Sequence, residues 1–322
     1  MPAAGVPIRP RAWHDAHRPI VPLLPVPTHA MTDHRILPLP APGPATVVRI
    51  LAKRGRADVA GMLPMELRSS YLLDRIDAAA VDRYRAALGF AGDAVPLTWW
   101  YLPVQRAHMG TLLRDAFPFR LAGMIHAENT LTEHRAADRA RPVRLDTVIR
   151  IAAPAPNGAV YCALETRCLQ DGEPVVTCAS RYLARRGARR EGRLPAKDTA
   201  AIDAPQVAAW HLDAAAGRRY AAVSGDWNPI HLWGWSARLF GLPAPIIHGM
   251  QTVGRACAAI ESVRGAHVTA IGCRFRAPLA LGSDVVLHAG ADGSFAACSG
   301  GRLAVEGNFA VAAGADQSAR PR

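Results

Sequence analysis

The strongest constraint on how this chain can fold is a hairpin pattern that occurs twice. In the first occurrence Arg141-Pro142 leads into an alternating run, Val143–Ile151, and Asn157-Gly158 turns it into Val160–Leu169. Asp171-Gly172 then turns that run into Pro174–Leu183. In the second occurrence Ala277-Pro278 leads into Asp284–Ala289, Asp292-Gly293 turns it into Ser294–Cys298, and Leu303–Ala312 follows. Asn-Gly and Asp-Gly supply the positive-φ residues that tight hairpins require, so each set predicts a meander of antiparallel strands. From Pro142 to Gly158 is 16 residues and from Pro278 to Gly293 is 15, which reads as a diverged internal repeat.

Each meander follows helix-forming sequence. From Pro245 to about Val263, apolar Ile246, Met250, Val253, Cys257 and Ile260 recur at helical spacing and predict one buried face. In the first half, Asp77–Leu88 and Gln105–Leu113 are the helical candidates. A long helix against an antiparallel meander is an α+β plan, and two copies would pack side by side with their sheets joined. The expected boundaries are 46–184 and 199–313, linked by an Arg/Gly/Pro-rich stretch at 185–198. The Pro-rich residues 1–45 are expected to lack packed structure and 314–322 to form a polar tail. Met31 is an alternative start to Met1.

Composition excludes several classes. No apolar run of about 18 residues predicts a membrane span, and residues 1–30 lack the apolar core of a secretory signal. The formal charge is +12, yet Lys53 and Lys197 are the only lysines, and no basic stripe is interleaved with aromatics. A nucleic-acid partner is therefore not expected; attraction of an anionic ligand remains open. The densest cationic cluster, Arg181 to Arg193, reads as a solvated run at a linker. The six cysteines form no Cys-x-x-Cys and have no zinc-type histidine spacing, which predicts buried free thiols in a reducing compartment and no metal.

The chemistry concentrates in Ser224-Gly225-Asp226-Trp227-Asn228-Pro229-Ile230-His231. Gly225 permits a sharp bend, Asp226 and Asn228 favour turns, and Pro229 biases Asn228 to extended backbone. Asp226 and His231 therefore sit on a rigid irregular segment and can converge on one small ligand such as a water. A bland alternative has Asp226 or Asn228 capping a helix at about 232–240, with His231 incidental. Gly249 falls in the first turn of the next predicted helix, where N–H groups are unpaired and negative charge is favoured. Glycine there costs about 1 kcal/mol of helix propensity. Close approach of a ligand and tight packing against the sheet both account for it.

Tyr220–His231 resembles the signature of the MaoC-like (R)-specific enoyl-CoA hydratases, also known as hydratase 2. Leu242-Pro-Ala-Pro-Ile-Ile-His-Gly-Met250 resembles that family's approach to its central helix, and Phe275-Arg-Ala-Pro-Leu-Ala-Leu-Gly-Ser-Asp284 its later strand. The first half is similar to the non-catalytic copy of two-repeat members, through Phe117-Pro118, Gly123-Met-Ile-His126 and Arg141-Pro142. The resemblance implies a double hotdog, an antiparallel sheet wrapped around a helix, twice. It implies Asp226 and His231 as the catalytic pair, Asn228 as a polar neighbour, and the Gly249 N–H as the donor to the thioester oxygen. The implied reaction is reversible hydration of a trans-2-enoyl-CoA to a (3R)-hydroxyacyl-CoA, with an acyl-CoA substrate and no separate cofactor. The chain would be a cytoplasmic monomeric pseudo-dimer or a homodimer. A hotdog acyl-CoA thioesterase and a silent CoA-binding protein are the alternatives.

Other motifs take structural readings. His126 follows Ile125 as His248 follows Ile247, but the prolines beyond them lie at different distances, so His126 is expected to be structural. The first half has no Asp with a His five residues on, which predicts one site per chain. Trp99-Trp100-Tyr101 is expected to pack in the core, with lining of an acyl pocket as the alternative.

Overall fold

A computed structural model describes residues 30–56, 59–187 and 204–312. The first half contains β1 (Ala30–Pro38), α1 (Pro44–Ala52), β2 (Met65–Leu73), α2 (Ala78–Leu88), α3 (Tyr101–Leu112), β3 (Ile125–Glu133), β4 (Val143–Ile151), β5 (Val160–Gln170) and β6 (Glu173–Arg185). The second contains β7 (Gln206–His211), α4 (Ala216–Ser224), α5 (Gly234–Leu239), α6 (Gly249–Arg264), β8 (Val268–Phe275), β9 (Asp284–Ala289), β10 (Ser294–Ser299) and β11 (Arg302–Val311).

These strands form one 11-stranded sheet ordered β1-β2-β4-β5-β6-β3-β8-β11-β10-β9-β7. The order β2-β4-β5-β6-β3 repeats as β7-β9-β10-β11-β8, so the halves share a topology. They join through antiparallel β3 and β8, with Thr130 opposite Gly272 and Leu131 opposite Ile271. The fold is therefore the expected α+β double hotdog. The paired turn signals mark its two meanders, and β4 and β9 begin and end where the sequence places them.

α6 lies under the second half of the sheet and buries Met250, Val253, Cys257 and Ile260. It starts at Gly249 rather than at Pro245. The preceding residues are already committed elsewhere: Ile246 N–H donates to the Ile230 carbonyl, Ile247 N–H to that of Leu279, and Ile246 bridges Ala280. α3 starts at Tyr101, earlier than expected, and continues a 3-10 turn at Leu97–Trp100. Pro103 is accommodated because it lies in the first turn, where its missing N–H breaks no intrahelical bond. Trp99, Trp100 and Tyr101 are all buried, so the core reading of that triplet holds. A large core joins residues of α2, α3 and α6 with strands of both halves, and a second core lies within the first half.

The expectation for 1–45 needs correction where those residues are described. β1 pairs in parallel with β2, and Leu39 beyond it is buried. An edge strand with unpaired backbone groups accepts another strand despite poor local propensity. Residues 1–29, most of the 185–198 stretch and the 314–322 tail lie outside the described residues. Five of the six cysteines are buried as free thiols and Cys298 is partly so. Among the described residues no helix is long and apolar enough to cross a membrane.

Candidate active site

Helix α4 ends at Gly225, whose φ of 76° is the left-handed value that lets the chain turn sharply. The Asp226 N–H donates to Ser224 Oγ at 3.2 Å, and the Asn228 N–H donates to Asp226 Oδ1 at 3.1 Å. Asn228 then caps a 3-10 turn, Pro229–His231, by accepting from the Ile230 N–H. Asn228 thus caps this short turn and not the helix expected at 232–240, which begins at Gly234 after Trp233 with no side-chain cap; the turn is what presents Asp226 and His231 together. Asn228 itself is exposed and its side chain serves the cap; towards Asp226 it offers its main-chain N–H.

His231 is 8% exposed and its Nδ1 lies 2.8 Å from the Ile246 carbonyl. A carbonyl only accepts, so Nδ1 carries the proton and Nε2 keeps its lone pair. His248 is 3% exposed and occupies the N-cap position of α6 without a side-chain bond to the helix. Its Nε2 donates to the Asp226 carbonyl at 2.9 Å, and its Nδ1 is buried without a partner among the described residues. The only sequence signal for it is its place before Gly249 within the motif.

Asp226, His231 and His248 each bring one donor atom within 4.8 Å of the others. The same triad could suggest a metal centre. An ion takes imidazole lone pairs in the ring plane, however, and these two rings overlie one another with centroids 3.7 Å apart. Each ring already commits one nitrogen to a main-chain carbonyl, His231 Nδ1 to Ile246 and His248 Nε2 to Asp226, so each offers one further nitrogen beside the carboxylate.

Burial disfavours charge on all three groups. For Asp226 burial raises the pKa, but the positive charge that His248 and His231 take up in acid, with the Gln105 and Asn228 N–H donors, outweighs it and the pKa lies below the ordinary value. For His231 burial prevails over the Asp226 carboxylate and the pKa falls; for His248 it falls to about 3. At neutral pH the site therefore holds a carboxylate beside imidazoles that are neutral and able to accept protons.

Gly249 is the first residue of α6, and the first intrahelical bonds come from Gln251 and Thr252 to the His248 carbonyl. The Gly249 N–H thus belongs to the unpaired first turn. A Cβ at this position would lie 2.6 Å from the Phe275 ring, so tight packing against β8 is also real.

The first half also reaches the site. Gln105 Nε2 on α3 donates to Asp226 Oδ2 at 2.8 Å, from 121 residues away in sequence. Nothing in the local sequence of α3 announces this contact. His126 stacks on Tyr182 with centroids 4.4 Å apart and against Phe275 at 4.9 Å, while the Tyr101 and Tyr182 hydroxyls are 2.9 Å apart. Burial pushes the His126 imidazole down to about 3, so it is a neutral packing group, as expected.

The fold and this arrangement define a double hotdog protein with a half-buried Asp226 beside a buried His231. Comparison with known proteins places it further. A sequence profile described as MaoC like domain matches residues 198–298. The 3-hydroxyacyl-thioester dehydratase X of Mycobacterium tuberculosis is 30% identical over 245 residues, 71% of this chain and 85% of that protein. The crystal structure of HtdX from that organism matches with a TM-score of 0.62 at 27% identity, covering 74% of this chain and 98% of that one. A MaoC-like dehydratase from Phytophthora capsici gives 0.60 at 17% identity, covering 85% of this chain and 99% of that one, a likeness of fold. The chain belongs to the MaoC-like dehydratase family.

Proposed function

We propose that this protein is a hydro-lyase on acyl thioesters, adding water to a trans-2-enoyl-CoA to give a (3R)-hydroxyacyl-CoA, reversibly. The observation that carries the proposal is the approach of Asp226 and His231, with donor atoms within 4.8 Å. One water at hydrogen-bond distance, about 2.8 Å, reaches both groups at that spacing. The similar dehydratase's name, which specifies a 3-hydroxyacyl thioester, supports the substrate class.

In this mechanism Asp226 and the Nε2 of His231 hold the water against C3 of the enoyl group. One of the pair accepts a proton as the oxygen adds to C3. That proton is returned to C2, so the pair ends in its starting state and one water has been added. As charge moves onto the thioester oxygen, the Gly249 N–H at the start of α6 stabilises the enolate. Holding water and acyl chain in register contributes as much as the proton transfers.

The test is Asp226→Asn assayed with crotonyl-CoA by loss of enoyl absorbance, alongside a free-thiol assay. The variant should stay folded and lose hydration. Hydrolysis also destroys the conjugated enoyl-thioester chromophore, so it is the thiol assay that decides: CoA released by the wild type in step with the loss of absorbance would instead identify a thioesterase.

A further inference from the structure

We propose that Gln105, on the half without an Asp–His pair, is a positioning residue for the Asp226 carboxylate, so that both halves build one active site. This rests on the Asp226–His231 assignment above.

The Asp226 carboxylate has one donor on each oxygen. Oδ1 accepts the Asn228 N–H at 3.1 Å and Oδ2 accepts from Gln105 Nε2 at 2.8 Å. The Asn228 contact is local and comes from the turn itself. Among the described residues, Gln105 is the side chain that hydrogen-bonds the carboxylate from another element. An ionised carboxylate offers no hydrogen to the amide oxygen, so the amide must present its NH2 group. Two donors, one per oxygen, set the rotation of the carboxylate and leave its other lone pairs to face a water. A carboxylate free to rotate would take the water with it, and misplacement by about 1 Å can cost about a hundredfold in rate.

The element carrying Gln105 is itself anchored to the catalytic turn. Arg106, the next residue, donates through Nε to the Pro40 carbonyl at 2.6 Å and through Nη2 to that of Leu39 at 3.3 Å. Two residues on, Pro42 packs against Gly225, where an added Cβ would lie 2.3 Å from the Pro42 Cβ. Residues 39–42 therefore touch both α3 and the bend that launches Asp226. This strap keeps the Gln105–Asp226 distance from depending on the sheet junction alone.

The groups that act on Asp226 are known from every side. His231 and His248 face it from the second half, Gln105 from α3, and Tyr220 from α4. Tyr101, Tyr182 and His126 lie around it from α3, β6 and β3. Among these, Gln105 is the side-chain donor that bonds its carboxylate directly.

The experiment uses the full chain with Gln105→Leu and Gln105→Glu, each checked by thermal melting. With crotonyl-CoA, Gln105→Leu should lower kcat by about ten- to a hundredfold, the range expected for losing a hydrogen bond to a charged group. KM should change little, and the acidic limb of kcat/KM should move to higher pH because a donor favouring the carboxylate is gone. Gln105→Glu can donate only when protonated, so its activity relative to wild type should rise as the pH falls. A purely structural role would lower the melting temperature and leave the shape of both pH profiles as in the wild type, which overturns the proposal. So does wild-type kcat/KM in a folded Gln105→Leu. The two readings separate cleanly: an inactive Asp226→Asn with a fully active Gln105→Leu removes Gln105 alone, whereas an active Asp226→Asn removes the Asp–His assignment itself.

Discussion

The imidazoles of His231 and His248 overlie one another with centroids 3.7 Å apart, and each is tied to a main-chain carbonyl of the opposite segment. His231 donates to Ile246, just before α6, and His248 donates back to Asp226, in the turn after α4. The reciprocal bonds lock the Asp–His turn onto the start of the central helix. They also fix both tautomers, and with them the face of His231 left free for chemistry.

This arrangement predicts the pH dependence. Burial holds His231 below the ordinary imidazole value of 6.5, and Asp226 is also held below its ordinary value. Both groups are base-competent above their pKa values. Hydration should therefore persist unchanged from pH 8 down through 6.5 and fall only in more acid solution. A kcat/KM profile with crotonyl-CoA between pH 4 and 9 checks this; a midpoint at 6.5 or above contradicts it.

Gly249→Ala should destabilise the protein, because the new methyl meets the Phe275 ring at 2.6 Å. Overpacking of this kind costs about 1–3 kcal/mol. Alanine retains the main-chain N–H, so combining Gly249→Ala with Phe275→Leu should recover both the melting temperature and much of the hydration rate. A single Gly249→Ala variant that melts like the wild type contradicts the packing described here.

Gly217 on α4 lies under the carbonyl of His231: a Cβ there would come within 1.9 Å of that oxygen. The obstacle is backbone, so relief requires α4 or the His231 turn to move. Gly217→Ala should lower kcat on the order of a hundredfold through displacement of His231. Comparing its kcat with that of Ala216→Gly, a neighbouring change that adds no atom, separates displacement from general loosening of the helix.

His267 links the two halves, with Nε2 2.9 Å from Glu133 on β3 and Nδ1 2.9 Å from Glu261 on α6. Bonds to Glu133 and Glu261 raise its pKa from 6.5 to about 10. The folded pKa exceeds the unfolded one, so its stabilisation is complete below the unfolded value and is lost as pH rises through about 10. His267→Asn should lower the urea midpoint clearly at pH 6 and much less at pH 10. An equal loss at both values would mean that the charge is not what stabilises the junction.

The sequence by itself determined the elements and their repetition. Alternation at Val143–Ile151, the Asn157-Gly158 and Asp292-Gly293 turns and the spacing of Met250, Val253, Cys257 and Ile260 are local signals, because strand pleat, turn geometry and helix period act over a few residues. The Asp226–His231 turn was legible for the same reason: Gly225, Asn228 and Pro229 shape it from within. Tertiary structure decided what is non-local. It shortened α6 by drawing Ile246 and Ile247 into bonds with Ile230 and Leu279, and it gave the residues before Pro38 a strand partner in β2. It turned the side chain of Asn228 to capping and set His248 against His231. It also brought Gln105 to Asp226 across 121 residues, a meeting set by the β3–β8 junction and the packing of α3, which no local pattern encodes.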